Sequence, residues 1–128
     1  MDWTIALIAV GVVVAVYVWK RAGSVSDAYA SELLQGGAII LDVRSAGEFK
    51  EARVKGAINI PLSDLKSLAP AQLPDRSRPI LVHCLSGGRS AIARHQLRGL
   101  GYKQVENLGS LRRAAAIAGW ESEPQGRS

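Results

Sequence analysis

The chain has 128 residues, 48% of them hydrophobic: enough to bury one compact core and too few for two ordinary domains. Its one cysteine, Cys84, excludes an intrachain disulfide, a Cys-x-x-Cys pair and any internal resolving thiol, and no Cys/His cluster has zinc spacing. The formal charge of +5 comes with only 5% aromatics and no block of basic residues, so no nucleic acid partner is expected.

The stretch from Trp3 to Trp19, WTIALIAVGVVVAVYVW, is uncharged throughout and ends at Lys20-Arg21. At ~1.5 Å rise per residue it extends about 25 Å, near the short end of what crosses a ~30 Å hydrocarbon core. Trp3, Tyr17 and Trp19 lie near its two ends, where amphipathic rings favour a membrane interface. A cleaved signal peptide would carry a basic start, but Asp2 stands there, and no convincing A-x-A site precedes the soluble part. A buried core helix would normally show a polar stripe. A transmembrane helix over 3–19 is therefore expected. The basic pair on its C-terminal side predicts a single-pass protein of the inner (plasma) membrane with its C-terminal domain in the cytoplasm. Residues 20–25 read as a juxtamembrane linker, 26–120 as the globular domain and 121–128 as a flexible tail.

In the globular part, SDAYASELLQGG predicts a helix capped by Ser26 and stopped at Gly36-Gly37. AIILDV is almost wholly apolar, as in a strand buried on both faces. Ser45 and Glu48 stand at capping-box spacing and start a short helix in SAGEFKEA. GAINIP is a second strand, LSDLKSL a turn of amphipathic helix, and APAQLPDRSRP a loop. ILVHC is the clearest strand and SAIARHQLRGLG the clearest helix. YKQVENL is a last strand, SLRRAAAIAGW a closing helix and ESEPQGRS a frayed tail. Short apolar strands alternating with helices predict a parallel α/β sheet covered on both faces, with ligands bound at the carboxyl ends of its strands. Cys84 is at such an end.

The segment HCLSGGRS, His83 to Ser90, carries the chemistry. A lone cysteine ending an apolar strand is most often a small buried hydrophobe. Three features argue otherwise. Gly87 and Gly88 allow positive-φ turns that aim backbone N–H groups at one point. The helix starting near Ser90 adds its N-terminal donors. Arg89 adds a permanent cation with a planar fork of donors. Leu85, Ser86, Gly87, Gly88, Arg89 and Ser90 are thus the expected cradle of a Cys84 thiolate, the reactive form of the side chain. His83 should face away from Cys84, because neighbouring strand residues point to opposite faces. His95 lies on the polar side of its helix, opposite Ile92, Ala93, Leu97 and Leu100, and neither histidine is expected to act as a base.

These residues resemble the rhodanese (sulfurtransferase) domain family. LDVRSAGEFKEARVKGAINIPL is similar to its early D-V-R…E-F…G-A-x-N-I-P signature, and VHCLSGGRSAIARHQLRGLGYKQVENL to its C-x-x-G-x-R-S loop, helix and last strand. The resemblance covers roughly Val25 to Ala118. It implies a five-stranded parallel sheet and a Cys84 that carries sulfur as a persulfide, with no cofactor. A small sulfur-bearing anion such as thiosulfate, or a persulfide, would be the donor, and cyanide or a thiol the acceptor. Four residues separate Cys84 from Arg89, the shorter loop that the family associates with sulfur, where related phosphatases have five. The alternative function is a membrane-tethered binding or sulfur-delivery module with little turnover on thiosulfate. Leu85 is apolar where the family often has a basic or polar residue, Arg53 replaces a usual histidine, Asn107 to Leu111 departs from N-L-x-G-G, and Trp120 comes after the last helix instead of sitting in it. Asp42, Arg44 and Glu48 are read as structural, and Arg112 and Arg113 as a solvated face.

Overall fold

The computed structural model describes residues 2–125, with the side chains of residues 20–22 excepted. In chain order the elements are α1 (Trp3–Ala22), α2 (Asp27–Gln35), β1 (Ile39–Asp42), α3 (Ala46–Glu51), β2 (Arg53–Val54) and β3 (Ile58–Asn59). A 3-10 turn (Leu62–Asp64) then leads into α4 (Leu65–Gln72), followed by β4 (Ile80–His83), α5 (Gly88–Gly99), β5 (Val105–Gly109), α6 (Leu111–Ala118) and β6 (Trp120–Ser122).

The main sheet is parallel and four-stranded, in the order β3-β1-β4-β5. The fifth parallel strand that the resemblance implied is reduced to one bridge, Ser24 beside Asn107, closed by the Val25 N–H on the Asn107 carbonyl at 3.0 Å. β2 instead pairs antiparallel with β6 in a separate two-stranded ribbon. Glu121 and Ser122, read from sequence as tail, are therefore strand, and Arg53 pairs with Glu121 across the ribbon.

Alternation along the strands divides the core. Leu41, Val43, Ile80, Val82 and Cys84 pack with Leu65, Ala69, Ala93 and Leu97 of α4 and α5. Ile40, Leu81 and Leu108 face the other way, against Ala30 of α2 and Leu111, Ala114 and Ala115 of α6. Burying a Leu or Ile side chain contributes about 1.5–3 kcal/mol, so these two layers hold the helices to the sheet. Ile92, expected on the apolar side of α5, is exposed; the packed side is carried by Ala93 and Leu97.

The expected caps form. Ser26 accepts from the Tyr29 N–H, and Ser45 and Glu48 make a complete capping box. The loop expected from Ala69 onward begins later, because α4 continues through Pro70 to Gln72. Leu65, Ala69 and Leu73 are buried at four-residue spacing, and the Tyr102 hydroxyl lies 2.9 and 2.6 Å from the Ala69 and Leu73 carbonyl oxygens. Those contacts and the buried face hold the end of the helix although Pro70 supplies no N–H.

The N-terminal helix forms, but the expectation of a transmembrane span over 3–19, with a linker at 20–25, is not supported. Among the described residues no helix is long and apolar enough to cross a membrane. The uncharged run rises only about 25 Å against a ~30 Å core. The helix also runs on to Ala22 in place of a linker, and Val25 is already buried. Every side chain from Trp3 to Trp19 is exposed, and none belongs to either core.

At the carboxyl end of β1, the buried Asp42 carboxylate accepts from the Arg44 backbone N–H at 2.9 Å and from Nε and Nη2 at 3.0 and 2.7 Å. Arg44 Nη2 also donates to the Ala52 carbonyl at 2.5 Å, closing the α3 segment over the strand end. His83, paired with Asp42 in the sheet register, is fully buried. Its Nδ1 lies 3.3 Å from the Cys84 carbonyl, so Nδ1 carries the proton and Nε2, 3.8 Å from Asp42 Oδ2, is a bare lone pair. Burial first, then the nearby Arg44 cation, holds the imidazole below its ordinary value despite Asp42 and that carbonyl. Removing one partner of a buried ion pair leaves the other charge stranded. Asp42→Asn is therefore expected to lower the unfolding free energy by about 3 kcal/mol in urea titrations at neutral pH.

Candidate active site

Cys84 comes directly after β4, and its backbone is tied to the β5–α6 connection. The Cys84 N–H donates to the Gly109 carbonyl at 3.1 Å, the Leu111 N–H to the Leu85 carbonyl at 3.2 Å, and Ser86 bridges Ser110. A bulge between Val82 and His83 skips one residue of β5 and brings Gly109 opposite His83. Bulges next to a strand end re-aim the adjoining side chains. Here the result is a loop pinned at both margins, with the Cys84 side chain turned inward and wholly buried.

Above the sulfur the chain reverses at Gly87, whose φ of 103° is left-handed and strained for any other residue. That turn points the Gly87 N–H at Sγ, 3.0 Å away. The expected pair of positive-φ glycines is a single one, because Gly88 is already the first residue of α5. Ser90 Oγ lies 3.6 Å from Sγ, 3.0 Å from the Gly87 carbonyl and 2.7 Å from Asn107 Oδ1. The hydroxyl has one proton to give. Beside a neutral thiol it donates to Asn107 and accepts from the S–H; beside a thiolate it can turn to the sulfur. Burial alone would push the Cys84 thiol up, but the Ser90 hydroxyl and the N–H groups of Ser90, Gly87 and Ser86 outweigh it and hold the thiol below its ordinary value.

Arg89 does not stand free in the cradle. Its Nη1 and Nη2 donate to Glu48 Oε1 and Oε2 at 2.7 and 3.0 Å, a bidentate pair joining α3 to the start of α5. The Arg89 fork beside Glu48, against a smaller burial penalty, lowers that carboxyl from 4.5 to about 2, with the Ser45 N–H and hydroxyl adding to the effect. Glu48 first, with Cys84 as a lesser contributor, holds the Arg89 guanidinium above its ordinary value. Leu85 points outward and is exposed, as is Ser86, while Ser90 is buried. A cavity of about 290 Å³ adjoins the loop, with Ser86, Gly87 and Gly88 among its lining residues along with Asn107 and Ser110. Cys84 does not line it.

The structure thus gathers Cys84, Gly87 and Ser90 around one sulfur, with Ser86 contributing its backbone. Arg89 is brought to Glu48, and Leu85 to the outer surface. His83 sits on the opposite face of β4, and His95 is exposed. Two participants are not assigned to the site by sequence. Asn107 accepts from Ser90 Oγ and from the Gly109 N–H at 2.9 Å, so it orients the hydroxyl beside the sulfur. The available signal is an asparagine, Asn107, between Glu106 and Leu108 at the same sheet end as Cys84, and the structure buries it. For Glu48 the capping box already accounts for the residue, and its second partner lies 41 residues away.

Comparisons with known proteins bear on the family and the fold. A family model described as Rhodanese-like domain matches residues 26–112. The chain is 38% identical over 72 residues to Thiosulfate sulfurtransferase PspE of Escherichia coli, covering 56% of this chain and 69% of that one. It is 35% identical over 95 residues to Thiosulfate sulfurtransferase 16, chloroplastic, of Arabidopsis thaliana, covering 66% and 79%. Among solved structures, a rhodanese with anions from E. coli superposes with a TM-score of 0.59 at 35% identity, covering 62% of this chain and 93% of that one. Human single domain sulfurtransferase TSTD1 gives 0.63 at 31% identity, covering 71% and 93%.

The geometry sets two expected outcomes. Ser90→Ala removes a hydroxyl from the sulfur and should raise the Cys84 thiol pKa, read as several-fold slower iodoacetamide alkylation at neutral pH. Glu48→Gln removes a carboxylate held at about 2 when folded and 4.5 ordinarily. Its stabilisation is complete above about pH 4.5 and is lost as pH falls through 2. Both side chains are about a third exposed, so screening limits the pair to about 1 kcal/mol. The variant should melt a few degrees lower at pH 7, and the gap should close on acidification.

Proposed function

The chain belongs to the rhodanese-like domain family, and from that premise we propose that it is a sulfurtransferase in which Cys84 carries the sulfur as a persulfide. The observation that supports this best is the Gly87 N–H aimed at Cys84 Sγ, with Ser90 beside it, in a buried setting that would otherwise keep the thiol neutral.

In the first half-reaction the Cys84 thiolate attacks the outer sulfur of thiosulfate. The S–S bond of the donor breaks, sulfite leaves with the electron pair, and Cys84 is left as an anionic persulfide. In the second half-reaction cyanide or a thiolate attacks that outer sulfur, and the pair of the broken bond returns to Cys84. Both steps move a sulfur atom without net oxidation, so no cofactor is needed. The loop N–H groups serve each anionic stage in turn: thiolate, departing sulfite and persulfide. Arg89, fixed by Glu48, places its cation beside the cradle without closing an ion pair on the sulfur. The Cys84 side chain is wholly buried, so a donor reaches the sulfur only from the side on which the loop gives way.

The test is intact-mass analysis after incubation with thiosulfate, repeated with a low-molecular-weight persulfide. The expected result is a gain of one sulfur atom, removed by cyanide with release of thiocyanate and absent in Cys84→Ala. A native protein that gains no sulfur from either donor would overturn the proposal.

A further inference from the structure

The ring of His83 is fully buried on the face of β4 opposite the sulfur, and the transfer steps make no use of it. Histidine is an unfavourable choice at that position. Leu81, two residues earlier on the same face, belongs to the apolar layer under α2 and α6. A leucine at position 83 would bury as well and leave nothing unpaired. Histidine instead leaves Nε2 without a hydrogen-bond partner among the described residues, 3.8 Å from an Asp42 carboxylate oxygen that has no proton to give it.

What the ring has and a leucine lacks is Nδ1–H, set 3.3 Å from the Cys84 carbonyl. That carbonyl belongs to the peptide between Cys84 and Leu85. The peptide groups on either side of it are held by the backbone of neighbouring segments. Before it, the His83 carbonyl accepts from the Val43 N–H and the Cys84 N–H donates to the Gly109 carbonyl, both at 3.1 Å. After it, the Leu85 carbonyl accepts from the Leu111 N–H at 3.2 Å. The middle peptide lies past the end of β4, and its carbonyl meets the imidazole of the preceding residue. A planar peptide turns as a unit, so its setting fixes ψ of Cys84 and φ of Leu85 together. Those angles decide where Sγ stands relative to the Gly87 N–H, 3.0 Å away across the loop.

We propose that His83 is a positioning residue for the thiolate: its Nδ1–H fixes the Cys84–Leu85 peptide so that the loop donors converge on the sulfur. The ring touches neither the sulfur nor a substrate and acts through that peptide alone. This role rests on the sulfurtransferase reading, in which Cys84 is the reactive thiol.

Asparagine and leucine at position 83 separate the donor from the bulk. Both branch at Cγ and are alike in size. Asn Nδ2 is as many bonds from Cα as histidine Nδ1 and carries hydrogens, where leucine has a methyl group. The full chain and its His83→Asn and His83→Leu variants are alkylated with iodoacetamide across a pH series, and sulfur loading from thiosulfate is timed by intact mass. His83→Asn should keep the native pH profile. His83→Leu should alkylate about fivefold more slowly at neutral pH, with its profile moved to higher pH and its loading slowed in proportion. Thermal melts should run the other way, with the leucine variant melting no lower than the asparagine variant. A packing role alone would make the leucine variant the more native-like in reactivity. Equal profiles in the two variants, or a faster leucine variant, would overturn the proposal. In the native protein, nitrogen-15 spectra of the histidine side chains should show His83 as the Nδ1–H tautomer at neutral pH, with His95→Gln used to assign the exposed ring. An Nε2–H tautomer would overturn the proposal whatever the variants do. If alkylation follows the expected order and no sulfur loads, the sulfurtransferase reading falls and the role of His83 stands. If the native protein loads and the variants do not differ, only the role of His83 fails.

Discussion

A thiol enclosed in a protein resists ionisation, and the site is built around that constraint. Burial is the largest influence on Cys84 and acts against the thiolate. The remedy is directional: an N–H at 3.0 Å from Gly87, a hydroxyl at 3.6 Å from Ser90 and backbone donors on either side. Each needs its own support. Gly87 must be glycine to hold its left-handed turn, and Ser90 needs Asn107 to receive its proton while the sulfur is neutral. Asn107 in turn is held at the edge of β5 by its bond from the Gly109 N–H. The bulge at Val82/His83 belongs to the same construction, since it lets Gly109 serve as acceptor for Cys84 while the strands remain paired.

Two ion pairs fix the surroundings at different depths. Asp42 and Arg44 are buried and act on shape, tying the end of β1 to the α3 segment through Ala52. Glu48 and Arg89 are partly solvated and act on position, connecting the cap of α3 with the first turn of α5. Glu48 therefore serves two helices. Its Oε1 accepts from Ser45 to start one and from Arg89 to hold the other. With Nη1 and Nη2 both engaged by Glu48, the cation is held beside Cys84, and the groups set directly against the sulfur are the Gly87 N–H and the Ser90 hydroxyl.

What could be read from sequence was what neighbours decide. Ser26, the Ser45–Glu48 box, the apolar runs of β1 and β4 and the Gly-Gly-Arg-Ser entry to α5 all depend on residues a few positions apart, and each formed. The expectations that did not hold depend on distant partners. β2 has two residues and no period of its own; it is a strand because β6 lies beside it. α4 continues through a proline because Tyr102 and the buried face hold its end. The parallel sheet lost its fifth strand to a single bridge at Ser24. The N-terminal helix shows a different limit: hydropathy identified a helix correctly, but its uncharged length of about 25 Å was marginal for a span. Within the site, Cys84 and its loop were legible as a motif, whereas Asn107 and the Glu48–Arg89 contact required the fold.

The alternation along one short stretch also separates two tasks. Cys84 faces inward, where donors tune its charge, and Leu85 faces outward, where it touches none of them. Substitution at Leu85 can therefore alter what approaches the loop while leaving the Gly87 and Ser90 contacts to the sulfur in place. The outer walls are supplied late in the chain. Gly119, at φ 90°, ends α6 in a conformation that favours glycine and turns Trp120 back along β2. The last turn of the fold thus reaches the rim of the loop after β4, where Trp120 and Leu85 line one cleft, so the C-terminal ribbon shapes the outside of a loop whose inner contacts are set by the sheet and α5.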